Sequence, residues 1–208
     1  MKKNKFFRNF IRGLLIFVIG VLSYKVLFSE RLVIDEIMID FVSNIRCDTL
    51  DFFMKFITSF GNTATIFVLL LVVCWLLVMM VRDKKLAFFF FVSLVGNVLV
   101  NQGIKALVRR ERPINSLIHV GGFSFPSGHA MVSMAFYGML IYIFYKLVKN
   151  NILRRLLMVG SGLLVILIGF SRVYLGVHYF SDVMVGFAIS LLYLDFFTYF
   201  INKCKIFT

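Results

Sequence analysis

Charge is scarce in this sequence, and acids are scarcest. Of 208 residues only 16% are charged, and 10 Asp and Glu stand against 23 Lys and Arg, for a net charge of +13. Soluble domains are about 25% charged and about 45–50% apolar, whereas 61% of this chain is hydrophobic and 26 residues are Phe. So little polar surface cannot cover a water-soluble body of this length. A bilayer accepts an apolar exterior and requires only that backbone groups pair internally, which helices achieve. Cysteine is sparse as well: Cys47, Cys74 and Cys204 are odd in number and scattered, which argues against a disulfide framework and a thiolate metal site. No Pro-, Gly- or Ser-rich linker and no internal repeat interrupts the chain, so residues 1–208 read as a single domain.

What is present is a series of apolar runs. Thr63 to Val81 and Leu86 to Ile104 are uncharged and long enough to cross about 30 Å of hydrocarbon. Four more run from Phe10 to Phe28, Ala130 to Val148, Leu153 to Ser171 and Val183 to Ile201. Their charges are Arg12, Lys25, Lys146, Arg154, Arg155 and Asp195, most within about a turn of an end, where long side chains reach the interface. The expected fold is all-α, a six-span transmembrane helical bundle. The first run has the outline of a signal peptide, but no small-residue cleavage pattern follows it, so it is expected to persist as a span. Between the first two spans, Val33, Ile34, Ile37, Met38, Phe41, Val42 and Ile45 recur at helical spacing, with Asp35, Glu36 and Asp40 on other faces. Leu50, Phe53, Met54, Ile57 and Phe60 repeat the pattern. Both segments are expected to be short amphipathic helices on the outer surface, packing over the bundle.

The basic residues form short clusters between runs, not one patch, which points to topology signals and away from nucleic acid. With a cytoplasmic N-terminus, the inner segments hold Lys2, Lys3, Lys5, Arg8 and Arg12, then Arg82, Lys84 and Lys85, then Lys146, Lys149, Arg154 and Arg155, then Lys203 and Lys205. The outer segments hold fewer, Arg31, Arg46, Lys55 and Arg172 among them, so both termini are expected on the cytoplasmic side of the plasma membrane. An excess of outer cations between 105 and 112 exceeds what topology alone would select.

Three polar clusters fall at span ends expected to face outward. In the first, Lys105, Arg109 and Arg112 are spaced i, i+4, i+7 along a helix that Pro113 should terminate, aiming cations at one point. Interfacial snorkelling is the competing reading, favoured for Arg109 and Arg110. In the second, Phe-Ser-Phe-Pro-Ser-Gly-His-Ala precedes a span. Ser127 suits an N-cap, Gly128 permits close backbone approach, and the free amides of a helix start form an anion site, although alone this is only a cap. In the third, His178 and Asp182 are i, i+4 at the start of the last span, where a carboxylate can accept from one imidazole nitrogen and leave the other free as a nucleophile. Arg172, just upstream, can fork onto phosphate oxygens. Together these residues describe a phosphate site built from cations, with no set of ligands for a metal cofactor.

Lys105-x6-Arg112-Pro113, Pro126-Ser127-Gly128-His129 and Ser171-Arg172-x5-His178-x3-Asp182 resemble the three-part signature of the type 2 phosphatidic acid phosphatase and vanadium haloperoxidase superfamily. The resemblance implies a membrane lipid phosphatase. In it His178 attacks phosphorus to give a phosphohistidine, Asp182 orients His178, and His129 protonates the leaving oxygen and later helps activate water. Lys105, Arg112, Ser127, the Gly128 amide and Arg172 would hold the phosphoryl oxygens. Phosphatidylglycerol phosphate, phosphatidate and a polyprenyl diphosphate all present the terminal phosphate such a site reads.

A haloperoxidase shares the signature, because vanadate resembles phosphate, but its chemistry needs no six-span body. A lipid transporter or a non-catalytic lipid-phosphate binder would also place polar groups in the membrane. Transporter sites, however, lie near the midplane on broken helices, and these residues line one edge. Asn97, Asn101, Gln102 and Asp195 remain as buried polar groups expected to bond between helices.

Overall fold

The computed structural model describes residues 2–28 and 32–204; Arg31 and Lys205, which entered the charge comparison, lie outside them. Among the described residues every regular element is an α-helix: α1 (Lys2–Phe28), α2 (Val33–Ile45), α3 (Asp48–Ser59), α4 (Thr63–Met79), α5 (Lys84–Val108), α6 (Gly128–Leu147), α7 (Asn151–Tyr174) and α8 (Phe180–Lys203). Each of the six apolar runs forms a helix. Five of these are long and apolar enough by themselves to cross a membrane. The sixth, α4, has 17 residues and follows α3 across a 47° bend. At 1.5 Å per residue it is roughly 26 Å long, the short end of the spanning range.

Tight turns close one end of the bundle. Asp83 caps α5 by accepting from the Leu86 amide at 2.8 Å, and Asn150 caps α7 by accepting from the Ile152 and Leu153 amides at 3.0 Å each. Such short connections force antiparallel neighbours. The long 109–127 connection and the 175–179 turn therefore fall together at the opposite end, with the polar clusters.

Helix α6 is the hub, packing against α4, α5, α7 and α8. Its Phe136 stacks on Phe90 of α5 with ring centroids 5.4 Å apart, in a core shared with Leu70, Met139 and Ile168. Outward-facing apolar residues such as Phe17 and Leu107 are exposed, as lipid permits and water would not. Polar groups inside the bundle bond between helices: Asn97 donates to the Ser190 hydroxyl and Ser190 to the Met131 carbonyl, both at 3.0 Å. Arg12 of α1 reaches Asp195 of α8 at 2.6 Å. Gln102 departs from expectation, since it is exposed and has no hydrogen bond to a neighbouring helix among the described residues.

Helix α2 departs too. Val33, Ile34, Ile37 and Phe41 are exposed, while the inward stripe is Asp35, Met38, Val42 and Ile45. Apolar periodicity selected the lipid side, because in a bilayer the apolar face need not be the buried one.

Close helix contact depends on glycine at Gly169. A Cβ there would lie 2.3 Å from the Phe187 ring and 2.9 Å from Val183 of α8. Gly169→Ala should therefore destabilise the bundle by about 1–3 kcal/mol, read as a lower unfolding temperature in detergent. Gly160, which has open space around it, should tolerate alanine with a gain of up to about 1 kcal/mol. Equal melting temperatures for the two variants would refute this packing.

Candidate active site

The three clusters meet around one cavity of about 470 Å³ at the open end of the bundle, lined by Lys105, Arg112, Gly128, His129, Arg172 and His178. The two imidazoles face the same space from α6 and from the α7–α8 turn.

Helix α5 does not run to Pro113. It ends at Val108, with Arg109 in the left-handed region at φ 50° and its side chain turned back to the Ala106 carbonyl at 2.9 Å. Lys105, Arg109 and Arg112 therefore do not share a helical face. The proline rule set only an outer limit, and Arg112 enters the cavity from the loop instead. Its guanidinium donates to the carbonyls of Val177 at 2.7 Å, Gly122 at 3.0 Å, Gly121 at 3.1 Å and Phe123 at 3.2 Å. Lys105 donates to the carbonyls of Phe123 and Ser124. Both cations thus fasten the 121–124 segment of the loop over the cavity. Burial lowers the Arg112 pKa below its ordinary value, partly offset by the charge of Asp182.

His178 precedes α8 instead of lying on it. Tyr179 is the N-cap, and its amide donates to Asp182 Oδ2 at 2.9 Å, which places the carboxylate 3.5 Å from His178 Nδ1. On the other side of the ring, Arg112 Nη1 stands 3.2 Å from Nε2. A guanidinium can only donate, so Nε2 accepts there and the ring proton belongs on Nδ1, facing Asp182. The Ser124 hydroxyl donates to Asp182 Oδ2 and lies 3.3 Å from Nδ1, completing the cradle. Burial pushes the His178 pKa down to about 4 against the pull of Asp182, with Arg112 and Arg172 adding to the effect of burial. At neutral pH the lone pair on Nε2 is therefore present.

Arg172 is 1% exposed at the end of α7. It donates from Nη1 to the Thr58 hydroxyl at 2.7 Å, and its Nε is buried without a partner. His129 Nε2 lies 2.8 Å from Asn62 Oδ1, so the ring carries a proton on Nε2 and is held by the α3–α4 corner. Ser127 is fully buried and caps α6 by accepting from the Ala130 amide at 3.5 Å. It stands behind the cavity, beside Gly128, which lines it. Among the described residues no three His, Cys, Asp or Glu side chains converge as a metal site.

Several participants escaped the sequence reading. Thr58 lies just before, and Asn62 within, a Gly61-Asn62 break that precedes an uncharged run, a cue for a corner but not for what it touches. Arg110, assigned to snorkelling, instead turns its side chain inward: its Nη1 bonds Asp182 Oδ1 at 2.6 Å, and its Nη2 bonds Asp35 at 2.8 Å.

A family model, the PAP2 superfamily, matches residues 85–206, which contain all three clusters. The chain belongs to this superfamily. A PAP2 phosphatase fold is also what the solved structures return. The crystal structure of the first transmembrane PAP2-type phosphatidylglycerolphosphate phosphatase, from Bacillus subtilis, superposes with a TM-score of 0.86 at 26% identity, covering 93% of this chain and 97% of that one. Aquifex aeolicus LpxE superposes with a TM-score of 0.67 at 21% identity over 82% of this chain and 98% of that one, a likeness of fold. Among curated PAP2 relatives, phosphatidylglycerophosphatase B of Bacillus subtilis strain 168 is 38% identical over 99 residues, 45% of this chain and 47% of its own length. Dolichyldiphosphatase of Saccharomyces cerevisiae is 27% identical over 151 residues, 67% of this chain and 61% of its own. The aligned region thus spans about half to three-fifths of those two relatives.

Proposed function

We propose that this multi-pass membrane protein is a lipid phosphate phosphatase, with residues 1–208 acting as one domain. The observation that carries the reading is the single cavity lined by three cations and two imidazoles. His178 Nε2 attacks phosphorus and the bond to the leaving lipid oxygen breaks, with His129, entering the step as the imidazolium, delivering the proton from Nε2 and keeping the one on Nδ1. Water, deprotonated by His129, then attacks the phosphohistidine to release inorganic phosphate. Lys105, Arg112, Arg172 and the Gly128 amide hold the phosphoryl oxygens, and Ser127 steadies that amide through its cap. Phosphate-ester hydrolysis is slow enough uncatalysed that charge stabilisation must contribute most of the acceleration.

The substrate carries a terminal phosphate on an apolar body, as the relatives' names, referring to a phosphatidylglycerophosphate and a dolichyl diphosphate, suggest. The bias of basic residues supports cytoplasmic termini and an outward-facing cavity. The deciding experiment is phosphate release by purified protein from phosphatidylglycerol phosphate, phosphatidate and a polyprenyl diphosphate. Turnover of at least one, undiminished by EDTA, is expected. Inactivity on all three with retained binding would favour a non-catalytic binder, and EDTA loss restored by added metal would indicate a metallophosphatase.

A further inference from the structure

Behind the cavity, Asp182 is held from its far side by a buried ion chain that the phosphatase reading does not use. Asp182 Oδ2 serves the His178 side. Its other oxygen, Oδ1, accepts from Arg110 Nη1 at 2.6 Å. Arg110 Nη2 continues to Asp35 Oδ2 at 2.8 Å, and Asp35 also accepts from the Ser181 amide at 2.8 Å and the Ser181 hydroxyl at 2.7 Å. The guanidinium lies 3.9 Å over the Tyr179 ring, so its plane is fixed as well. Side-chain exposures are 8% for Arg110, 1% for Asp35 and 0% for Asp182. Neither Arg110 nor Asp35 lines the 470 Å³ cavity. Such buried networks are retained where they fix one arrangement, because removing a partner leaves a charge uncompensated.

We propose that Arg110 and Asp35 are positioning residues for the hydrolytic centre: Arg110 locks the Asp182 carboxylate toward His178, and Asp35, on the surface helix α2, offsets the Arg110 charge so that Asp182 keeps its full pull on the imidazole. This rests on His178 as the nucleophile. The chain carries alternating signs, negative, positive, negative, ending at the ring. Removing the outer negative charge leaves Arg110 neutralising Asp182 and makes the imidazole less basic. Removing the cation leaves two carboxylates and makes it more basic. The other charged or titratable groups that share a cavity with His178 are Arg112 from the loop, Arg172 from α7, His129 from α6 and Lys105 from α5 and, in a second cavity of about 430 Å³, Glu36 and Asp40 of α2, Arg46 after it and Tyr179 beside the ring; all are unchanged by either substitution.

The experiment compares wild type, Asp35→Asn, Arg110→Gln and the double variant. With three histidines in the chain, ¹⁵N-histidine NMR in detergent can follow the His178 ring directly, independently of turnover. Arg110→Gln should raise the His178 midpoint by on the order of one pH unit and Asp35→Asn should lower it, with the double variant close to wild type. Each single variant should also lose on the order of 100-fold in kcat with KM little changed, the pattern of a misaimed group outside the cavity. Midpoints that stay still, or move in the same direction, overturn the proposal, and no general loss of folding produces opposite shifts. A wild type that releases no phosphate overturns the phosphatase reading instead, and the ring titration still tests the ion chain on its own.

Discussion

His178→Ala should abolish phosphate release while leaving the fold intact, with a loss of about 10⁴-fold or more in kcat, the scale on which removal of a covalent nucleophile is felt. The ring presents a lone pair to the cavity at neutral pH, held there by a hydrogen bond from Arg112. Its Nδ1 proton is committed toward Asp182 and Ser124, and the hydrogen-bond partner at Nε2 is a donor, Arg112. Truncation removes that lone pair without disturbing the main-chain bonds that shape the turn, the Val177 and His178 amides donating to the Arg172 carbonyl at 3.2 Å and 3.3 Å. A melting temperature close to wild type, together with loss of an acid-labile phosphoenzyme, is the expected pair of results. Retained turnover would show that water attacks directly and that the histidine is an accessory.

Arg172→Ala should lower kcat on the order of 10³-fold, comparable to losing a preorganised donor aimed at developing charge. Arg172 is almost wholly buried, spends Nη1 on Thr58, and keeps Nε buried without a partner. A buried donor left unpaired costs free energy, which a phosphoryl oxygen would recover. Arg172→Lys, which keeps the charge and loses the planar fork, should restore only part of the rate. Wild-type kinetics for the lysine variant would mean that a point charge suffices. Thr58→Val should give a milder defect, since it frees the fork without removing it. Phosphate-release kinetics beside a thermal melt separate these outcomes from loss of fold.

The membrane fold was legible because span length is a strong signal: lipid admits few charges, so uncharged runs map onto helices almost directly. The cation-imidazole set was legible for a related reason, since polar residues at span ends are few enough to notice. Partnerships were not. Arg110 looked like any interfacial arginine, because what distinguishes it is Asp35, 75 positions earlier in the chain. Asn62 and Thr58 reach His129 and Arg172 across 67 and 114 positions, and no local pattern encodes such a pairing. Asp35 was placed on the wrong side of α2 because a helix between protein and lipid can turn its acid inward, where a guanidinium waits. The end of α5 was overrun because proline forbids helix beyond a point without requiring it up to that point.

The peptide oxygens held by Lys105 and Arg112 make the site choosy about ionisation. Those donors are already engaged by main-chain carbonyls at 121–124, so a ligand that offers only neutral oxygens trades one hydrogen bond for another and gains little. A doubly ionised terminal phosphate would bring two formal charges, twice what a diester carries and more than any carbonyl can match, and would compete better for the two cations. In the proposed reaction inorganic phosphate carries a similar charge, and its release would be a step that the two cations themselves slow.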